Sequence, residues 1–149
     1  MSEREKFGVA GFLYNPATRS VLLHHRDGNT TYNPHKWAFF GGLGEGTETP
    51  LEGFVRELRE ETGLHVRPED VTPLCAYLNE EFGVMRHVFF VRSSVGTSEL
   101  TLGEGAGFAW VSLSGLDAYD LTAKTVRDLQ YFMKEYASLI QSRDGHFCT

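Results

Sequence analysis

The residues best suited to chemistry are six carboxylates crowded between Gly42 and Leu64: Glu45, Glu48, Glu52, Glu57, Glu60 and Glu61. Only two bases, Arg56 and Arg59, stand among them, so the segment carries −4 of the chain's formal −6. On a helix turning ~100° per residue, Glu57 and Glu61 stack one turn apart and Glu60 lies beside them. Like charges at that spacing cost an isolated helix roughly a few tenths of a kcal/mol per pair. A positive charge among them relieves that cost. Arg56 and Arg59 supply part of it. A hard divalent cation such as Mg²⁺, which takes oxygen ligands and keeps some of its waters, supplies it better. The plain alternative is a solvated acidic helix face, and composition alone favours that alternative. The surroundings count against it. Gly41-Gly42 precede the helix at a strand end, where backbone can approach a ligand closely, and helix N-termini attract phosphate.

The elements that must position these groups are legible from punctuation and periodicity. Thr49 reads as an N-cap, Pro50 fills the first helical position and Glu52 completes a capping box. Gly63 stops the helix in the left-handed conformation. Leu51, Phe54, Val55 and Leu58 form its apolar stripe. Strands are expected at 7–14, 21–25, 37–40, 71–78, 87–92 and 108–111. The stretch Asn15-Pro16-Ala17-Thr18 is a turn. A second helix is expected from about Thr122 to Leu139, with Val126, Leu129, Met133, Tyr136 and Ile140 inward. The order lacks a regular strand–helix alternation, so the expectation is an α/β chain with a mixed sheet between helices.

A chain of 149 residues suits one domain spanning 1–149. Its 41% hydrophobic and 23% charged composition is that of a soluble globular protein. No apolar run approaches the ~20 residues of a membrane helix, and the N-terminus lacks the pattern of a signal peptide. The two cysteines, Cys75 and Cys148, lack metal-ligand spacing and are read as a buried thiol and a loose one. The expected compartment is reducing and cytoplasmic. The acidic balance argues against a general nucleic-acid binder, which would show a basic face.

Gly42, Glu48 and Arg56-Glu57-Leu58-Arg59-Glu60-Glu61-Thr62-Gly63-Leu64 stand at the spacing of the Nudix box, GX5EX7REUXEEXGU with U aliphatic. All nine specified positions match: Gly42, Glu48, Arg56, Glu57, Leu58, Glu60, Glu61, Gly63 and Leu64. The chain therefore resembles the Nudix hydrolase family. The lead-in Trp37-Ala38-Phe39-Phe40-Gly41-Gly42 is similar to the family's W-x-F-P-G-G, with Phe40 where proline is usual. Glu80-Glu81-Phe82, Arg86-His87 and Glu104-Gly105 followed by Trp110-Val111-Ser112-Leu113 resemble the MutT-like branch, in shorter matches.

The resemblance implies a Nudix-type α/β/α sandwich that hydrolyses a nucleoside diphosphate linked to a further group, with Mg²⁺ or Mn²⁺ as cofactor. It makes Glu57 and Glu61 the main metal ligands, Glu60 a ligand or an acceptor behind them, and the Gly41 carbonyl a backbone ligand. Arg56 is expected to pair with Glu48 and orient the carboxylates. Metal would reverse the local charge so that an anionic phosphate can enter. It would also lower the pKa of bound water. A carboxylate must take the proton, and both Glu61 and Glu104 are candidates, Glu104 also as a metal ligand. Its glycine neighbours Gly103, Gly105 and Gly107 suggest a mobile loop.

Other residues have weaker claims. By similarity Arg26 would contact phosphates, although a solvated strand-end arginine fits almost equally. Phe82 would stack on a base or pack at a rim, and His35 would line the pocket or simply occupy a loop. His24 and His25 face opposite sides of a strand, so they are not joint ligands. Trp37 and Trp110 are read as core. The favoured substrate is a modified or ordinary nucleoside triphosphate, giving monophosphate and pyrophosphate. A nucleotide-sugar or dinucleoside polyphosphate is the rival within the family. The proline and tyrosine that some subfamilies carry about sixteen to eighteen residues past the box are replaced by Glu80, Glu81 and Phe82, which counts against ADP-ribose and dinucleoside tetraphosphate. A non-catalytic sensing module is a rival of another class, but such modules lose box glutamates or add a DNA-binding domain. A hydrolase of nucleic-acid 5′ ends is disfavoured by the missing basic arm. The expected partner is a small-molecule nucleotide, with no membrane and with a homodimer left open.

Overall fold

A computed structural model describes residues 6–29, 34–103 and 105–136. Its strands are β1 (Phe7–Asn15), β2 (Ser20–His25), β3 (Trp37–Ala38), β4 (Phe40–Leu43), β5 (Val71–Asn79), β6 (Val84–Arg92) and β7 (Gly107–Ser112), with helices α1 (Pro50–Thr62) and α2 (Ala123–Glu135). All seven strands join one sheet. β1 and β6 run parallel while the other pairs are antiparallel, so the sheet is mixed.

The hairpin of β1 and β2 is paired only near its turn, at Leu13↔Leu22, Tyr14↔Val21 and Asn15↔Ser20. Farther out the two strands diverge and residues 37–43 fill the wedge. β3 pairs with β2 at Trp37 and Ala38, and β4 pairs with β1 from Phe40 to Leu43. The expected single strand 37–40 is therefore two short ones that change partner at Phe39. It also runs on through both glycines, which read as a strand end in sequence but carry ladder pairs to Ala10 and Val9. β6 likewise begins three residues before its apolar run, because the tight turn at Phe82 and Gly83 returns the chain directly into pairing with β5.

Strand alternation splits the core into two layers. Val9, Leu13, Leu22, Phe89 and Val91 face α1 and pack on Phe54 and Leu58. Ala10, Phe12, Tyr14, Val21, Leu23, Val88 and Phe90 face α2 and pack on Leu129 and Phe132. The result is an α/β/α sandwich. α1 has the expected ends: Thr49 and Glu52 form a capping box, and Gly63 caps the C-terminus at φ 77°. α2 departs from expectation. Val126 is exposed, and the inner face is Thr125, Asp128, Leu129 and Phe132, joined by the half-buried Met133 and Tyr136. Thr125, bonded to Thr122, and Asp128, with partners on β5 and β6, take inward positions there, so the apolar stripe marks only part of the face. Ile140 and the rest of 137–149, with Cys148, lie outside the described residues. Cys75 is half-buried, and burial pushes its thiol up to about 11.

Candidate active site

α1 lays its glutamates against the end of the β1–β4 ladder. Glu61, at 3% exposure, accepts a hydrogen bond from the Gly41 backbone N–H to Oε1 at 3.2 Å. A side chain at Gly41 would run into the Val9 carbonyl, and its φ of 155° is itself unfavourable for other residues. At Gly42 a Cβ would stand 2.6 Å from Glu57 Oε2. The two glycines thus let two carboxylates reach the strand backbone.

Arg56 ties the remaining acids together. Its Nε donates to Glu48 Oε2 at 2.6 Å and its Nη2 to Glu48 Oε1 at 3.2 Å and the Leu43 carbonyl at 3.1 Å. Its Nη1 donates to Glu57 Oε2 at 3.1 Å and Glu60 Oε1 at 3.2 Å, with Glu45 at 3.5 Å. These partners raise the arginine's pKa further, and its hydrogen bond holds the Glu48 carboxyl below the usual range. Among the described residues no three His, Cys, Asp or Glu side chains converge as a ready-made metal cage. The donor set nevertheless suits a hard cation. Three carboxylates and a strand-end backbone share one edge, and Mg²⁺ needs only one or two carboxylates beside its waters.

The segment after Leu100 is fastened to this edge. Thr101 N–H donates to the Thr62 carbonyl at 2.8 Å and Gly103 N–H to the Glu61 carbonyl at 3.0 Å. Ala106 N–H donates to the His25 carbonyl at 2.8 Å. Glu104 itself lies outside the described residues; Gly103 before it and Ala106 after it carry these backbone bonds. His24 completes the wall. It is buried, lies over the Phe40 ring at 5.2 Å, and places Nδ1 3.9 Å from Glu61 Oε1.

On the other face of the sheet a cavity of about 620 Å³ runs from Gly41 and Gly42 to the N-terminus of α2. Its floor is open because Gly8, Ala10 and Ala38 carry little side chain there. Leu121 bridges to Trp37, and Thr122 N–H donates to the Trp37 carbonyl, which pins the start of α2 beside the cavity. Arg26 lines it, and Phe82, 47% exposed, stands at its rim. His35 lines none of it. Its backbone, at φ 66°, is left-handed, and its ring lies against Gly28. Arg86 also lines the cavity and donates to the buried Asp128 from Nε at 3.3 Å and Nη2 at 3.1 Å. Tyr77, its phenol raised to about 12 by burial, donates to the same carboxylate at 2.9 Å. Sequence reading missed the Arg86–Asp128 pair, since the partners are distant in the chain; of His24 and His25, read as one packed and one exposed, it is His24 that is buried. An acid spaced among apolar positions of α2 was the one available signal.

The sequence matches the NUDIX domain over residues 4–134. It is 32% identical over 104 residues to a MutT-like protein of Streptomyces ambofaciens, covering 70% of this chain and 62% of that one. It is 41% identical over 64 residues to an RNA pyrophosphohydrolase of Aeromonas hydrophila, covering 40% of this chain and 35% of that one. The chain thus spans less than two thirds of these relatives. The crystal structure of a MutT protein from Methanosarcina mazei Go1 superposes with a TM-score of 0.71 at 27% identity, covering 91% of this chain and 97% of that one.

Proposed function

Because this chain belongs to the NUDIX domain family, we propose that it is a divalent-metal-dependent pyrophosphohydrolase of nucleotides, acting on an ordinary or modified nucleoside triphosphate. One observation carries the reading. The edge where Glu57, Glu60 and Glu61 meet Gly41 and Gly42 adjoins a cavity of about 620 Å³, a volume suited to a small organic ligand. The likeness to a MutT-like protein supports the triphosphate.

In this reading Glu57, Glu60, Glu61 and the Gly41 carbonyl hold Mg²⁺ or Mn²⁺, with Glu104 as a further ligand. The bound metal supplies phosphoryl polarisation and a more acidic water. Arg56 positions Glu48, Glu57 and Glu60. The Gly41 N–H and His24 fix the Glu61 carboxylate. Arg26 faces the phosphates from the cavity wall, and Phe82 covers the base at the rim. Water oxygen attacks phosphorus as the bridging P–O bond breaks, and Glu61 or Glu104 takes the water's proton. Monophosphate and pyrophosphate leave.

The test is a panel of nucleoside triphosphates, nucleotide-sugars, dinucleoside polyphosphates and a 5′-triphosphorylated oligonucleotide, with Mg²⁺, reading phosphate and pyrophosphate separately. Pyrophosphate should appear from triphosphates, and Glu61→Gln should lower kcat at least about hundredfold while the fold survives. A wild-type protein that binds nucleotides but turns none over is a sensor instead.

A further inference from the structure

Gly8 is the second residue of β1 and is paired on both sides, with β4 and with β6. A glycine inside a strand weakens it and often marks the close approach of a ligand or another backbone. The other strand glycines answer to the fold. An added Cβ would run into the Phe89 carbonyl and the Phe54 ring at Gly11, the Val9 carbonyl at Gly41 and the Glu57 carboxylate at Gly42, while Gly107 has a φ of 156°. Gly8 has no such reason. Its φ is not positive, and a Cβ there would stand 3.8 Å from the Gly42 carbonyl oxygen and 3.9 Å from that of Met85, which are ordinary van der Waals contacts. The fold would accept a side chain at this position.

Strand alternation sets what the missing side chain opens onto. Val9 packs toward α1 and Ala10 toward α2, so Gly8 faces the α2 side, where it lines the cavity. Its ladder partners Leu43 and Arg86 line the cavity too. With neighbouring strands about 4.8 Å apart, these two stand about 10 Å from each other across a place that no side chain fills. Arg86 donates from Nε and Nη2 to Asp128 on α2, which holds its guanidinium toward the helix. The N–H and C=O groups of a strand point sideways to its neighbours, so the bare face at Gly8 is flat and offers no donor or acceptor. A phosphate gains nothing there, whereas a flat ring does. With the phosphates at Gly41 and Gly42 on β4, β1 is the next strand, and the group that reaches across it is the base.

We infer that Gly8 is a specificity-determining residue: its missing side chain leaves the seat on which a nucleobase lies flat, between Leu43 and Arg86. This rests on the nucleotide reading of the site above and assigns the place of the base within it. A methyl or larger group at position 8 takes the space the ring needs, and forcing extra volume into a filled site is costly.

The experiment compares Gly8→Ala and Gly8→Val with the wild type. Calorimetry measures binding of adenosine, guanosine, cytidine and uridine monophosphates, a Mn²⁺ titration measures the metal site, and turnover of the matching triphosphates is followed alongside. The wild type should bind at least one monophosphate. Gly8→Val should weaken that binding about tenfold or more, and Gly8→Ala about threefold. KM for the triphosphate should rise more than kcat falls. Both variants should melt at or above the wild-type temperature, because the strand gains a side chain without strain, and Mn²⁺ affinity should stay within about twofold. If the valine variant does not fold, the alanine variant carries the test. Unchanged monophosphate affinity, a loss matched by Mn²⁺ affinity, an alanine variant that does not fold, or a wild type that binds no monophosphate overturns the inference. Wild-type turnover with monophosphate affinity and KM untouched by Gly8→Val leaves the hydrolase reading standing without this seat. Binding that weakens as expected, in a wild type that turns nothing over, sinks the hydrolase reading and leaves the role of Gly8 standing.

Discussion

Arg56 commits all five of its N–H donors, four to carboxylates and one to the Leu43 carbonyl. It is thus occupied as an organiser, with nothing left for substrate. Removing it leaves Glu48, Glu57 and Glu60 crowded and uncompensated. Arg56→Ala should lose about 1–3 kcal/mol of stability in urea unfolding without metal, and added Mg²⁺ should restore much of it. Arg56→Lys keeps the charge but not the planar fork, so it should rescue stability better than activity. The box acids and Arg56 were legible because their spacing is fixed along one helix. Asp128 was not: it looks ordinary in sequence, and its meaning comes from partners supplied by β5 and β6.

At the scale of elements, α1 was readable to the residue because its boundaries are set locally, by Thr49, Pro50, Glu52 and Gly63. The fork of β1 and β2 was not, because nothing local tells residues 37–43 to divide their pairing between two strands. That fork makes the two glycines unequal. Gly41→Ala places a methyl in the backbone of β1 at an unfavourable φ, and thermal or urea unfolding should show a loss of about 2–4 kcal/mol. For Gly42→Ala the nearest obstacle is the end of the Glu57 side chain, 2.6 Å away, which can swing aside. Its melting curve should stay near the wild type while metal affinity, titrated with Mn²⁺, drops about tenfold.

Over the whole molecule, the sandwich brings the acidic helix to one face of the sheet and the cavity to the other, with residues 37–43 running between them. The class of architecture followed from the mixed order of elements, but which face is left open follows from the small side chains at Gly8, Ala10 and Ala38. Acid should act through the Arg56 network. The folded Glu48 carboxyl lies below its ordinary value, so its contribution is present above the unfolded value and is lost as pH falls through the folded one. Unfolding free energy should therefore decline as pH falls below about 4, and Arg56→Ala should flatten that decline. Arg56 stays protonated throughout and adds no slope of its own. The backbone bonds from Thr101 and Gly103 to the last carbonyls of α1 have a consequence in time. The strap cannot peel away while those carbonyls keep their partners, so its release exposes the end of the helix in the same fluctuation. Opening of this segment and fraying of the last turn of α1 are then one local unfolding event.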